Sequence, residues 1–264
     1  MLTRGYGDVD LSAPIDWRHP DNAGLALRLL GLPGVSGGPR WPDLTGNTAG
    51  ATLAGGAAWT PTQWGQAGVS LSGSGQYLDT PASCGPAGTI AVTVQPAFGP
   101  DTSARYVFDS FGSRTLLYQN IQAVGSYGLY VNGTTVSDTP TGLVLSLPQG
   151  VPTRLVVAWG GGSVQVYRGG TLFASFAVSV GASSGQLRFG SRFNGQDFWA
   201  GQQFGQLVRA VKADAGWAAR DYERARDLSR DDTLRRLTTR AYLLPSAAPA
   251  AGDFVPAFAP GWGY

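Results

Sequence analysis

The chain has 264 residues, of which 39 are Gly and 17 Pro; charged residues make up 14% and the formal net charge is +2. Lys212 is the only lysine and Glu223 the only glutamate, so the residues that favour long helices are scarce and the clustered cationic excess of a nucleic-acid binder is missing. With 43% apolar and 11% aromatic residues the chain can bury a core, which argues against disorder, and no apolar run reaches the roughly 18 residues that cross a bilayer.

Residues 1–24 are broken by Asp8, Asp10, Pro14, Asp16, Pro20 and Asp21 and read as an arm. The start, Met1 to Asp8, lacks the apolar segment of a secretory signal, so cytosolic synthesis is expected. His19, the only histidine, lies in the turn-like Trp17-Arg18-His19-Pro20; an exposed or edge-packed imidazole fits that context better than the base of a Ser/His/Asp triad. Leu25 to Leu30 is a short apolar run suited to a buried strand. Cys84 is the lone cysteine, which excludes an internal disulfide and, with one histidine, a Cys/His metal cluster.

Short strands then recur with turns between them, the pattern of a sandwich or barrel. Tyr127–Val131 and Thr134–Val136 flank Asn132-Gly133, the sequence of a type I′ hairpin turn. Ser163–Tyr167 and Thr171–Phe173 flank Arg168-Gly169-Gly170, with Val164, Val166 and Arg168 on one face and Gln165 and Tyr167 on the other. Leu155–Trp159 is nearly continuous apolar, as a central strand buried on both faces would be; Leu187–Gly190 and Phe204–Val211 complete the series.

One helix is expected near 214–228, capped by Asp214, with Ala218, Tyr222, Ala225 and Leu228 as its apolar stripe. Asp221–Arg224, Glu223–Arg226 and Asp227–Arg230 are spaced for ion pairs. Seven arginines and five acids between 220 and 240 leave a net charge of +2, a salt-laced solvated face in preference to an anion-binding surface. Beyond Pro245 the composition turns Ala/Pro-rich, and Phe254, Phe258, Trp262 and Tyr264 punctuate the last eleven residues. Such a segment either docks on a partner or folds back over its own sandwich.

The order of several motifs resembles the concanavalin A-like lectin/glucanase superfamily, in its laminin-G-like branch. Trp41-Pro42-Asp43-Leu44-Thr45-Gly46-Asn47 is similar to that branch's opening turn, and Gly68 to Leu78 to its Gly-x-Ala-Leu-x-Phe strand signature. Val166-Tyr167-Arg168-Gly169-Gly170 stands where the family has Tyr-Val-Asn-Gly, and Leu187–Ser191 with Phe198–Arg209 resembles its closing strands. The resemblance implies an all-β antiparallel jelly-roll sandwich over 25–245, with one short C-terminal helix and extended arms at 1–24 and 246–264.

In that branch the Asp of the opening turn often binds Ca2+, which makes Asp43 and Asn47 candidate ligands; the same residues also make a self-sufficient Asx turn. The acidic catalytic strand of the glucanase branch is absent, so no catalytic residue is assigned and a non-enzymatic protein is expected. A further likeness is to jelly-roll proteins of phage virions, through Trp17, Pro20, Asn22, Gly24, Leu25, Leu32-Pro33-Gly34 and Thr233-Leu234-Arg235-Arg236. It implies a virion decoration, fibre or tail-associated subunit, docked on other subunits or on copies of itself through Phe254, Phe258, Trp262 and Tyr264. The alternative is a lectin-like module for a host glycan, with Asn194, Gln196, Asp197, Phe198 and Trp199 supplying an aromatic platform and polar groups in one loop.

Overall fold

The computed structural model describes residues 15–31, 38–83, 85–101, 103–110, 115–119, 127–131, 134–135, 147–180, 186–231 and 233–234. Sixteen strands among them, numbered in chain order, form two antiparallel sheets. The first runs β14 (Thr171–Ala177), β13 (Ser163–Arg168), β12 (Thr153–Gly160), β7 (Gly88–Pro96), β16 (Ala200–Arg209), β5 (Ala67–Ser72), β4 (Ala58–Pro61), and β1 (Leu25–Arg28) also pairs with β16. The second runs β11 (Thr134–Thr135), β10 (Tyr127–Val131), β9 (Thr115–Gln119), β8 (Arg105–Ser110), β15 (Leu187–Phe189), β6 (Tyr77–Thr80), β3 (Ala51–Ala54), β2 (Arg40–Trp41). This is the expected jelly-roll sandwich.

Strand β12 shows how the sequence specifies the layers. Side chains alternate across a strand, and here both faces are covered: Leu155, Val157 and Trp159 enter the core between the sheets, while Val156 and Ala158 enter a second core on the outer face of the first sheet. The near-continuous apolar run follows from that double burial. Trp41, Phe108, Phe189, Trp199 and Phe204 fill the inter-sheet core. Trp217, Ala218, Ile15 and Leu234 close the outer one.

The single helix among the described residues, α1 (Ala215–Arg226), starts where Asp214 accepts a hydrogen bond from the Trp217 amide at 2.7 Å. It is followed by a 3-10 turn, Leu228–Arg230, so Leu228 lies beyond the helix proper. Its buried face is more polar than the expected stripe: Asp221 and Arg224 are buried beside Trp217, Ala218 and Ala225. These two do not pair with each other. Asp221 accepts from Arg154 of β12 at 2.8 and 3.0 Å, and Arg224 lies 2.7 Å from Asp21. Arg28 of β1 likewise pairs with Asp231. The solvated pairs are those of Arg230, with Glu223 at 3.1 Å and Asp227 at 3.3 Å.

The arm expected over 1–24 ends sooner than its composition suggests. Ile15 is fully buried and bridges to Leu234, Asn22 donates to the carbonyls of Asp16 and Thr233 at 2.8 Å, and Asp21 accepts Arg220 at 2.8 and 2.7 Å. The acids and prolines that interrupt periodicity here cap and pin a segment that belongs to the helix layer. His19 is one of these caps, its Nδ1 accepting the Asp21 amide at 3.2 Å. Residues 1–14, Cys84, Asn132-Gly133 and the whole of 235–264 lie outside the described residues.

Asp21 gives the fold an acid dependence. The Arg220 guanidinium, with Arg224 behind it, holds the buried carboxyl well below the usual carboxylate range although burial pushes the other way. A depressed folded-state pKa adds stability that is fully present above the unfolded value of about 3.9 and is lost as pH falls below it. The melting temperature is therefore expected to drop on acidification below about pH 4, and Asp21→Asn to flatten that part of the profile. Thermal unfolding across pH 2–6 checks this; an unaltered profile in the variant would contradict it.

Candidate functional site

A concavity of about 370 Å³ sits where the β13–β14 hairpin meets α1, within the usual range of ligand sites. The hairpin makes it. Arg168 pairs with Thr171, and the two residues between, Gly169 and Gly170, have φ of +55° and +80°. Both are thus left-handed, as a type I′ turn requires. A Cβ on Gly170 would also stand 3.0 Å from the Tyr222 Cβ and 3.1 Å from the Ala219 Cα, so the turn reaches the helix only because it is glycine.

Just past the turn the register shifts: Tyr167 faces Leu172, but Val166 faces Ala174. The extra residue, Phe173, bulges from the edge strand and is 40% exposed, next to Leu172 at 46%. Across the groove, Tyr222 is half-buried, held edge-on to Trp64 at 6.1 Å with the Arg226 guanidinium 5.2 Å from its ring centre. Thr171, Thr153 and Arg168 supply polar wall. Arg154 lines the base, but its guanidinium is committed to Asp221, Thr93 and the Gly205 carbonyl. Among the described residues no aspartate or glutamate lines the groove. Aromatic faces beside directional polar groups suit a ligand with both apolar C–H faces and hydroxyls.

The loop expected to bind a ligand is built otherwise. Trp199 is fully buried, edge-on to Phe98 at 5.0 Å, and its amide donates to the Gly190 carbonyl at 2.8 Å. A ring walled in by the sandwich cannot serve as a platform, so the sequence assignment of Trp199 is corrected: it is a core residue. Phe198 is half-buried, and the Asn194 side chain donates to Gln196 at 3.0 Å. Asp197 adopts φ +57°, and its carbonyl accepts the Tyr106 amide.

The same loop is tied down on the outer face of the second sheet. The Phe193 amide donates to Asp109 at 2.8 Å, and the Phe193 ring covers the Arg188 guanidinium at 4.7 Å. Arg188 in turn binds Asp79 at 2.7 and 2.9 Å and lies over Tyr77 at 3.8 Å. Of the polar residues that suggested a rim, Asn194 and Gln196 bond each other, and the loop that carries them is anchored through Phe193.

Asp43 and Asn47 also find their partners within the chain. The Asp43 carboxylate accepts the amides of Arg28, Thr45 and Thr48 at 2.9–3.0 Å and the hydroxyls of Thr45 and Thr48 at 2.6 and 3.0 Å. Asn47 donates to the Leu25 carbonyl at 3.2 Å. Five donors occupy the lone pairs that a Ca2+ ion would need, and a hard cation takes six to eight oxygens. The residues present do not fit that ion; of the two readings of the motif, the Asx turn describes the geometry. The aromatic calling points Phe254, Phe258, Trp262 and Tyr264 lie outside the described residues.

These features define an antiparallel jelly-roll sandwich domain with an aromatic groove at one sheet edge. No protein-family model matches the sequence, and no curated protein matches it. Solved structures do. Domain 4 of an extracellular arabinanase from Geobacillus stearothermophilus, in complex with arabinotriose, is 15% identical with a TM-score of 0.56, over 74% of this chain and 99% of that one. A Trypanosoma rangeli sialidase mutant displaying trans-sialidase activity is 13% identical with a TM-score of 0.58, over 78% of this chain and 34% of that one. The receptor binding domain of a botulinum neurotoxin C/D mosaic serotype is 13% identical with a TM-score of 0.57, over 76% and 51%. The chain thus spans nearly the whole arabinanase domain, about half of the toxin domain and about a third of the sialidase. At these identities the likeness is one of fold.

Sequence reading missed the groove because each of its parts had a sufficient local explanation. Arg168-Gly169-Gly170 read as a turn, and Tyr222 as part of a helix stripe. The signal that could have pointed to it is Leu172-Phe173, two large apolar residues in succession at the start of a strand whose alternation predicts only one of them inward.

Proposed function

We propose that this chain is a carbohydrate-binding module whose ligand lies in the groove between the β13–β14 hairpin and Tyr222. The observation that carries the reading is the pairing of exposed Phe173 and Leu172 with half-buried Tyr222 across a concavity of about 370 Å³ that also presents Arg168 and Thr171. The arabinanase domain of the same fold, solved with arabinotriose, and the toxin receptor binding domain support a binding role. We read the module as non-catalytic: glycoside hydrolysis usually employs two carboxyl groups flanking the bond, and none lines the groove among the described residues. The docking residues of the virion-subunit reading, Phe254, Phe258, Trp262 and Tyr264, lie outside the described residues, and none of these likenesses bears on that reading.

The test is a panel of neutral and acidic oligosaccharides, followed by calorimetric titration of the tightest binder against Phe173→Ala. Loss of this ring, 40% exposed on the edge strand, is expected to weaken binding about tenfold while the melting temperature stays within about 2 °C of the parent. A panel without binders, or a variant of unchanged affinity, would overturn the proposal.

A further inference from the structure

Resting on that reading, we infer that the groove selects saccharides that carry a carboxylate, with Arg168 as the residue that recognises it. The inference comes from the way this chain treats its arginines. Among those that are buried or half-buried, Arg28, Arg105, Arg154, Arg188, Arg192 and Arg224 each face a carboxylate within 4 Å, and Arg209 donates to the Ala23 carbonyl at 2.9 and 3.2 Å. Arg168 is half-buried too, yet it makes no ion pair or side-chain hydrogen bond with any described residue. It is also the one arginine of that set, apart from the committed Arg154, that lines the groove.

A partly desolvated guanidinium without a partner is costly, and the planar fork of five N–H groups matches a carboxylate in two parallel hydrogen bonds. With no acid among the described residues of the groove wall to compete, the carboxylate is assigned to the ligand. Leu172, Phe173 and Tyr222 can hold the apolar face of the sugar ring while Thr171 and the Gly169 backbone meet its hydroxyls. The matching ligand is a uronic or other acidic sugar, with its carboxylate on Arg168.

The experiment titrates the full chain with trigalacturonic acid and with the carboxyl-reduced, neutral form of the same trisaccharide. The acid is expected to bind about tenfold more tightly, the gain of a charge-assisted hydrogen-bonded pair, with the advantage shrinking as salt is raised. Arg168→Gln should abolish the preference, so that the variant binds acid and neutral form with equal affinity. Arg226→Gln, on the exposed side of Tyr222, should leave the preference intact.

Equal binding of acid and neutral form, or a preference that survives Arg168→Gln, overturns the inference. If the neutral form binds and responds to Phe173→Ala without an acid advantage, the saccharide reading stands and only this inference falls. If no acidic or neutral member of the wider panel binds, both fall. A sulfated trisaccharide that binds as tightly as the uronate overturns the assignment to a carboxylate.

Discussion

Asp221→Ala is expected to lower the unfolding free energy by about 3–5 kcal/mol, the usual consequence of leaving a buried charge unpaired. Arg154 and Asp221 are 2% and 6% exposed, and the two side chains meet at 2.8 and 3.0 Å between the first sheet and α1. Without the carboxylate, the guanidinium keeps only Thr93 and the Gly205 carbonyl as partners. At roughly 2–4 °C per kcal/mol for a chain of this size, the melting temperature should fall by about 10 °C. The double replacement Arg154→Met with Asp221→Leu removes both charges and should recover most of the loss, since apolar substitutes for a buried pair are often neutral. Urea unfolding of the single and double variants checks this. A single-variant loss below about 1 kcal/mol, the size of a surface pair, would mean that the helix layer is not held by this contact.

Trp199→Ala is expected to cost about 3–5 kcal/mol, because removing a large core side chain loses its transfer free energy and leaves a cavity. Trp199 is fully buried in the inter-sheet core and packs against Phe98. The variant separates two accounts of this loop. If Trp199 is core, stability falls while the folded fraction still binds any saccharide the parent binds. If Trp199 were a platform, binding would vanish with little change in stability. Denaturant unfolding and titration of one preparation give both numbers.

The sandwich was legible because strand period and turn chemistry act locally. Val164 and Val166 do point to the inter-sheet core, Tyr167 to the helix side, and Gly169-Gly170 do turn the hairpin. The nature of the helix layer was not legible. Asp221 and Arg224 stand at ion-pair spacing on one helix, but their partners, Arg154 and Asp21, are far along the chain, and spacing cannot report a contact that tertiary packing creates. Trp199 illustrates the same limit: beside Asn194, Gln196 and Asp197 it looked like a rim, yet strand β16 begins at Ala200 and draws it under Phe98. Asp43 was legible as a motif, and the geometry decided between its two readings by filling the carboxylate with five donors.

The central claim is that a saccharide occupies the groove beside the β13–β14 turn. It is tested most directly by following backbone amide resonances of the isotope-labelled chain as the tightest oligosaccharide of the panel is added. The account predicts saturable shifts concentrated in residues 152–154, 168–173 and 221–223. Shifts concentrated instead in the 192–198 loop or around Asp43, with the hairpin and Tyr222 unmoved, would contradict it.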